Sequence, residues 1–128
     1  MGEINLKKNI VTPKAPKPVG PYSQAVISGN MIYVAGQGPA NPETGEIPPD
    51  ITGQTKQVLT NIKNILEAAG ASLSDVVKSN VFLADLKYFS EFNDVYKQFF
   101  SDPYPARTTI GAQLLGILVE IDVIAGKP

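Results

Sequence analysis

The sequence predicts an α+β fold in which one mixed β-sheet carries two helices on one of its faces. Two segments of helical length have apolar residues at three- and four-residue spacing, and β-rich runs flank them in the order β-β-α-β-α-β-β. The 128 residues contain no internal repeat, linker or low-complexity segment. We therefore expect a single domain over residues 1–128, which is long enough to bury a hydrophobic core.

The first part of the chain predicts an edge strand and a hairpin. Residues 9–12 could form a short edge strand, and regular structure is then interrupted by Pro13, Pro16, Pro18 and Pro21. Two β-rich runs follow at residues 23–28 and 31–36. The intervening Gly29-Asn30 favours a two-residue hairpin turn, because both residues tolerate a positive φ.

The segment 52–69 predicts the first helix. Its apolar stripe consists of Val58, Leu59, Ile62, Ile65, Leu66 and Ala69. Gly70 is the expected end of this helix. We interpret the opposite face as solvated; it carries Lys56, Gln57, Asn61, Lys63 and Asn64.

Residues 76–83 predict a strand, and residues 85–100 predict a second amphipathic helix. The apolar side of that helix carries Phe89, Phe92, Val95, Tyr96, Phe99 and Phe100. Asn93 shares this side, since it is four residues after Phe89 and three before Tyr96. A polar amide on an apolar face is either a satisfied core group or part of a site, and the spacing alone leaves both open.

Two more strands, 107–113 and 117–125, complete the predicted sheet. Strand alternation places Glu120 on the face opposite the core-facing residues Ile117, Val119, Ile121, Val123 and Ala125. Arg107 and Thr109 share one face of the preceding strand. The two mixed faces could meet in a groove or be covered by another subunit, and a half-apolar open face favours self-association.

Arg107 and Glu120 are the candidate functional charges. Arg107 is the only arginine, because the other basic residues are lysines. A lone arginine and a glutamate within probable core strands need an explanation, since charges are rarely buried without a partner. One interpretation is an ion pair between neighbouring strands. The other is a site in which the guanidinium holds a carboxylate ligand and Glu120 handles protons.

The composition excludes several kinds of chemistry. The chain has no histidine, cysteine or tryptophan, which rules out a Ser-His-Asp triad, a cysteine nucleophile and zinc sites built on His or Cys. We therefore expect neither metal nor cofactor, and acid-base groups drawn from Asp, Glu, Tyr or Lys. A net charge of −1 gives no general attraction to nucleic acid or anionic membrane. No apolar run is long enough for a membrane span.

Several motifs in order resemble the RidA/YjgF/UK114 family, also known as the L-PSP endoribonuclease family, over nearly the whole chain after residue 9. The matching segments are Gly20-Pro21-Tyr22-Ser23-Gln24-Ala25, Ala35-Gly36-Gln37, Asn41-Pro42-Glu43-Thr44-Gly45-Glu46, Glu67-Ala68-Ala69-Gly70, Asn93-Asp94-Val95-Tyr96, Pro105-Ala106-Arg107 and Val119-Glu120-Ile121. Each segment alone is a weak signal, and the ordered set is specific.

The resemblance implies a chorismate-mutase-like subunit in a barrel-like homotrimer with clefts between subunits. It implies hydrolysis of reactive enamines and imines, such as 2-iminobutanoate and 2-iminopropanoate, to 2-oxo acids and ammonia in metabolite damage control. By the same resemblance, Arg107 binds the substrate carboxylate, Glu120 orients water, Tyr22 is the site tyrosine and Asn93 is a pocket residue. Because the chain has no cysteine and therefore no disulfide, a cytoplasmic location is the default expectation, with a mitochondrial form as an alternative.

The substrate-binding set implied by the resemblance also includes Thr109, Ala35 and Gly36. Many deaminases of this group carry Ser at the position of Ala35 and Cys at that of Thr109, and their linker corresponding to residues 113–118 is longer. Two other functions remain open: an endoribonuclease or translation inhibitor, and a non-catalytic ligand-binding or chaperone-like trimer. The acidic composition and the missing histidine argue against RNA cleavage.

Overall fold

The computed structural model describes residues 6–127, so the ends of the predicted 1–128 domain lie outside it. Within those residues the chain forms six strands and two α-helices. In chain order these are β1 (Lys8–Ile10), β2 (Ala25–Ser28), β3 (Met31–Gln37), α1 (Ile51–Ala68), β4 (Val76–Leu83), α2 (Phe89–Phe99), β5 (Ala106–Gly111) and β6 (Val119–Gly126). Short 3₁₀ helices, Leu73–Asp75 and Leu86–Tyr88, precede β4 and α2.

The strands form one mixed sheet in the order β1-β2-β3-β6-β4-β5. β4 and β5 are parallel, and the other neighbouring pairs are antiparallel. The prediction of an α+β fold with a mixed sheet and two helices is confirmed. The hairpin at Gly29-Asn30 is also present, with Ser28 opposite Met31 and a positive φ of 60° at Gly29.

The core lies between α1 and the sheet face that we call the inner face. This face presents alternate residues of β6, which are all buried: Val119, Ile121, Val123 and Ala125. The apolar stripe predicted for α1 is fully buried against it, and α1 also contacts β3 and α2. Asp50 caps the helix by accepting a hydrogen bond from the Gly53 N–H at 2.8 Å. Gly70, with a φ of +82°, follows its end as expected.

One polar residue of α1 is not solvated as predicted. Asn61 is completely buried, and its amide donates hydrogen bonds to the carbonyls of Gly38 at 3.1 Å and Ala40 at 3.0 Å. Its side-chain oxygen accepts from the Gln57 amide at 2.9 Å. The prediction was wrong because the loop after β3 folds over this face of α1 and supplies the acceptors. Asn61 therefore anchors the segment that follows the end of β3 at Gln37.

The last two strands are shorter than predicted. β5 ends at Gly111, opposite Leu83, which is the last residue of its partner strand β4. The Ala112 N–H still donates to the Leu83 carbonyl at 2.9 Å. β6 begins at Val119, and the N–H of Leu118 donates to the side chain of buried Gln54 on α1 at 2.7 Å. A turn with a positive φ at Gly116 lies between them. The short linker is thus tied to α1 rather than continuing either strand.

Candidate functional site

The guanidinium of Arg107 lies among three aromatic rings of α2. Its central carbon is 4.7 Å from the ring centroid of Tyr96, 5.4 Å from that of Phe92 and 5.7 Å from that of Phe89. Ring faces attract a cation by about 0.5–2 kcal/mol. The sheet topology explains this arrangement. β5 is the edge strand, and Arg107 is in register with Ser79 of β4. The Ser79 side chain points toward α2, so Arg107 lies on the same side of the sheet. The arginine is therefore held at the sheet edge against the second helix.

A cleft of about 320 Å³ opens beside this guanidinium. We call it the aromatic cleft, and it is lined by Asn93, Tyr96, Lys97, Tyr104, Pro105 and Arg107. Asn93 and Arg107 are half-buried, and within residues 6–127 the Asn93 amide forms no hydrogen bond. The structure thus brings Arg107 and Asn93 to one cleft. The interpretation of Asn93 as a hydrogen-bonded core residue is therefore wrong.

A buried hydroxyl pair lies at the base of the aromatic cleft. The hydroxyls of Tyr96 and Ser79 are 2.7 Å apart, and both residues are buried. Burial raises the pKa of Tyr96, while its hydrogen bond with Ser79 and the nearby Arg107 guanidinium act in the opposite direction. Because burial is the largest of these effects, the phenol is neutral at physiological pH and can both donate and accept a hydrogen bond.

Glu120 lies on the other face of the sheet, which we call the outer face. It is in register with Phe82 of β4, and its carboxylate lies over the backbone of Gly36 on β3. A Cβ atom at Gly36 would collide with the carboxylate oxygen, so a side chain at Gly36 cannot coexist with this position of Glu120. A β-bulge between Val34 and Gln37 displaces the strand here. Glu120 itself is half-buried and forms no hydrogen bond or ion pair within the described residues.

A second cleft, of about 390 Å³, lies near the start of β2 and includes Tyr22 and Ala35. The Tyr22 hydroxyl accepts a hydrogen bond from the Val19 N–H at 3.2 Å, and about half of this side chain is exposed. Gln24 fixes the proline-rich segment beneath it by donating to the carbonyls of Thr12, Ala15 and Pro16. Ala35 is the chain neighbour of Gly36, but neither Gly36 nor Glu120 lines this cleft.

The predicted site residues therefore form two groups. Arg107, Asn93 and, by strand alternation, Thr109 belong to the inner side. Tyr22, Ala35, Gly36 and Glu120 belong to the second group, which lies around the outer face. Of the two alternatives for the faces bearing Arg107 and Glu120, a groove between them within one chain is wrong. The interpretation of an ion pair between neighbouring strands is also wrong. β4 separates β5 from β6, and within residues 6–127 the ion pairs are Lys63–Glu67 and Lys97–Asp94.

Comparison with known proteins identifies the family. The family model described as Endoribonuclease L-PSP matches residues 12–127. The chain belongs to this family. It is the family whose motifs the sequence resembles.

Relatives of this L-PSP family chain carry more than one name. A RutC family protein of Pyrococcus abyssi is 54% identical over 94% of this chain and 98% of that protein. A 2-iminobutanoate/2-iminopropanoate deaminase of Escherichia coli is 43% identical over 94% of this chain and 98% of its own length. The crystal structure of RidA from an Antarctic Psychrobacter is 47% identical, with a TM-score of 0.90 over 93% of this chain and 98% of that one.

Sequence reasoning missed the immediate surroundings of the arginine in this L-PSP family chain. Phe89, Phe92 and Tyr96 were predicted as core residues of α2, whereas their rings also enclose Arg107. Ser79 was not singled out. The available signal was a small hydroxyl residue within an apolar strand, opposite a tyrosine on the apolar face of a helix. Within the described part of the chain, no helix is long and apolar enough to cross a membrane, and His, Cys, Asp and Glu form no cluster of three.

Proposed function

We propose that this chain is a 2-iminobutanoate/2-iminopropanoate deaminase that hydrolyses the C=N bond of small 2-imino acids. The observation that carries the proposal is the placement of the only arginine, Arg107, in the aromatic cleft beside the unpaired amide of Asn93. The E. coli relative with the deaminase name supports the reaction class. Guanidinium binds a planar carboxylate through two parallel hydrogen bonds, and a 2-imino acid is small, planar and anionic.

We also propose that the active protein is a homotrimer and that each site lies between two copies. Arg107 and Glu120 lie on opposite faces of one sheet, so a second copy is needed to bring them to the same substrate. The outer face supports self-association: exposed Tyr33 and Ile110 adjoin half-buried Ile124 and Phe82 on it. An apolar patch of this kind is typical of a protein interface.

The chemistry requires little beyond orientation. Arg107 and Asn93 hold the carboxylate of the imino acid, and its protonated C=N carbon is already electrophilic. Glu120 of the neighbouring copy accepts a proton from a water molecule as the water oxygen bonds to that carbon. Glu120 then returns that proton to the nitrogen of the tetrahedral species. As the C–N bond breaks and ammonia leaves, Glu120 takes the proton of the new hydroxyl group, and the 2-oxo acid remains. Tyr22 and Thr109 would contribute polar contacts, whereas Ala35 and Gly36 would form an apolar wall.

A nuclease function has weaker support. The description of the family model names an endoribonuclease. However, the chain has one arginine, no histidine and a net charge of −1, so it lacks both a basic surface for RNA and the usual imidazole acid-base groups. Cytoplasmic location remains a prediction, because nothing in the fold bears on it.

The proposal is tested by generating 2-iminobutanoate with a pyridoxal-phosphate threonine dehydratase and following 2-oxobutanoate formation. We expect the wild-type chain to accelerate this step, and Arg107→Lys to lose most of the acceleration, because an ammonium cannot form the two-pronged contact. Lys63→Ala is the control. Lys63 lies on the solvent-exposed side of α1, so this variant should retain full activity. A wild-type chain that does not accelerate imine hydrolysis would refute the proposal, and cleavage of RNA by the same preparation would favour the nuclease.

Light scattering tests the assembly independently of activity. The expected mass is about three times the subunit mass of 13.7 kDa. A stable monomer at micromolar concentration would contradict the trimer.

A further inference from the structure

The hydroxyl pair Ser79–Tyr96 is unusual in its surroundings. Ser79 is fully buried, and the next inward-facing residues of the same strand are the buried apolar Val81 and Leu83. Tyr96 is 4% exposed and packs between Phe92 and Phe100, with ring centroids 5.4 and 4.5 Å away. Burying two hydroxyls gives no advantage over an apolar pair of the same shape, because each must be desolvated. A role beyond core packing would explain the pair.

The location of the pair suggests that role. Ser79 is the register partner of Arg107 across the parallel β4–β5 pair. From the opposite side, the Tyr96 ring is the aromatic ring nearest to the guanidinium, at 4.7 Å. The pair thus joins the strand next to Arg107 to the helix that covers Arg107.

We propose that Ser79 and Tyr96 are positioning residues that fix the orientation of the Arg107 guanidinium before a carboxylate binds. The guanidinium contacts the Tyr96 ring, with its central carbon 4.7 Å from the ring centroid, so the position of the ring determines where the guanidinium lies. The 2.7 Å contact between the Ser79 and Tyr96 hydroxyls fixes this ring against β4, beside Arg107. Phe89 and Phe92 also attract the cation, but neither has a polar group that ties its ring to β4.

The benefit of this arrangement is a smaller entropic loss on binding. A free arginine side chain populates many rotamers, and a carboxylate that binds it must immobilise it in one of them. An arginine that is already oriented avoids that cost, which is the general basis of preorganisation. This inference rests on the proposed function only in identifying the ligand as a carboxylate. The orientation of Arg107 itself can be measured without any substrate.

The kinetic test compares Tyr96→Phe, Ser79→Ala and the double variant with wild type. Each single variant loses the Ser79–Tyr96 hydrogen bond and should raise KM for the imino acid about tenfold, while kcat changes less. The double variant leaves no unpaired hydroxyl, so its melting temperature should return toward the wild-type value while its KM stays raised. Tyr88→Phe is the control, since the Tyr88 hydroxyl forms no hydrogen bond within residues 6–127 and lies outside the aromatic cleft. It should leave KM and kcat unchanged.

A spectroscopic test does not depend on activity. Arg107 is the only arginine, so its Nε–H group gives a single unambiguous signal in a ¹⁵N NMR spectrum. In the wild type this signal should show slow hydrogen exchange and a rigid side chain without ligand. In the double variant the same signal should become mobile, and 2-oxobutanoate should bind about tenfold more weakly.

Two results would overturn the inference. One is an Arg107 signal equally rigid in wild type and double variant, which would assign the hydroxyl pair to packing alone. The other is a KM that recovers together with the melting temperature in the double variant. If the wild type proves inactive toward imines, the proposed function fails, while the NMR comparison still decides whether the pair orients Arg107.

Discussion

Arg107 and Glu120 lie on opposite faces of the same sheet, with β4 between their strands. At about 4.8 Å per strand, two strand spacings separate them by roughly 10 Å across the sheet before the thickness of the sheet is added. Neither a direct ion pair nor a shared small substrate is possible at that separation within one chain. In the proposed trimer, a second copy of the chain would bring the two charged groups to one substrate.

Gly36→Ala should impair the Glu120 side of the site without unfolding the protein. The added methyl group would meet the Glu120 carboxylate, so this side chain must move away from its position over β3. Because a water-orienting group acts mainly on the chemical step, kcat should fall more than binding of 2-oxobutanoate. Gly126→Ala is the matched control. Gly126 also belongs to the paired strands β3 and β6, and a Cβ atom added there would meet no atom within 4 Å. Equal kcat for both variants would contradict the proposed role of Glu120.

Stability should fall at alkaline pH through Tyr96. Burial raises the pKa of this phenol in the folded state, so the folded chain holds the proton more tightly than the unfolded chain does. The stabilisation is complete below the unfolded pKa, near pH 10, and is lost as the pH rises through the higher folded value. Denaturant titrations from pH 8 to 11 should therefore show a smaller decline for Tyr96→Phe than for wild type. Identical declines would show that ionisation of Tyr96 is not linked to unfolding.

Asn61 should be far more important for stability than its neighbours on the polar side of α1. Asn61→Ala leaves the carbonyls of Gly38 and Ala40 without a donor, which should lower the free energy of unfolding by about 2–4 kcal/mol. Asn64→Ala removes a single exposed hydrogen bond to the Lys14 carbonyl and should cost less than about 1 kcal/mol. Urea denaturation of the two variants measures the difference. Equal losses would mean that the loop after β3 does not depend on Asn61.

The sequence is most informative where one short-range pattern decides the structure. The period of α1, its end at Gly70 and the hairpin at Gly29-Asn30 each follow from local residues, and all were predicted correctly. Asn61 was not, because its burial depends on a loop that is more than twenty positions away along the chain. Pattern alone does not reveal such a contact.

The same limit applies to the candidate site. The residue types and motifs identify Arg107, Glu120 and Asn93 as candidates without any knowledge of the strand order. Their relative placement depends on β6 lying between β3 and β4, and on β5 being the edge strand. Strand parity gives the face of each residue relative to its own strand but not relative to another strand. Consequently, the separation of the two groups became visible only with the sheet order.

The most direct test of the central claim is complementation between two inactive variants. Arg107→Ala lacks the carboxylate-binding group, and Glu120→Gln lacks the proton acceptor, so each should be nearly inactive in the coupled imine assay. The two chains are unfolded together, refolded as a mixture and compared with each variant refolded alone. If a site takes Arg107 from one copy and Glu120 from its neighbour, random mixing in equal amounts should restore about one quarter of the wild-type sites. Activity no higher than that of the separate variants, in a mixture shown by mass spectrometry to contain mixed oligomers, would contradict a site shared between copies.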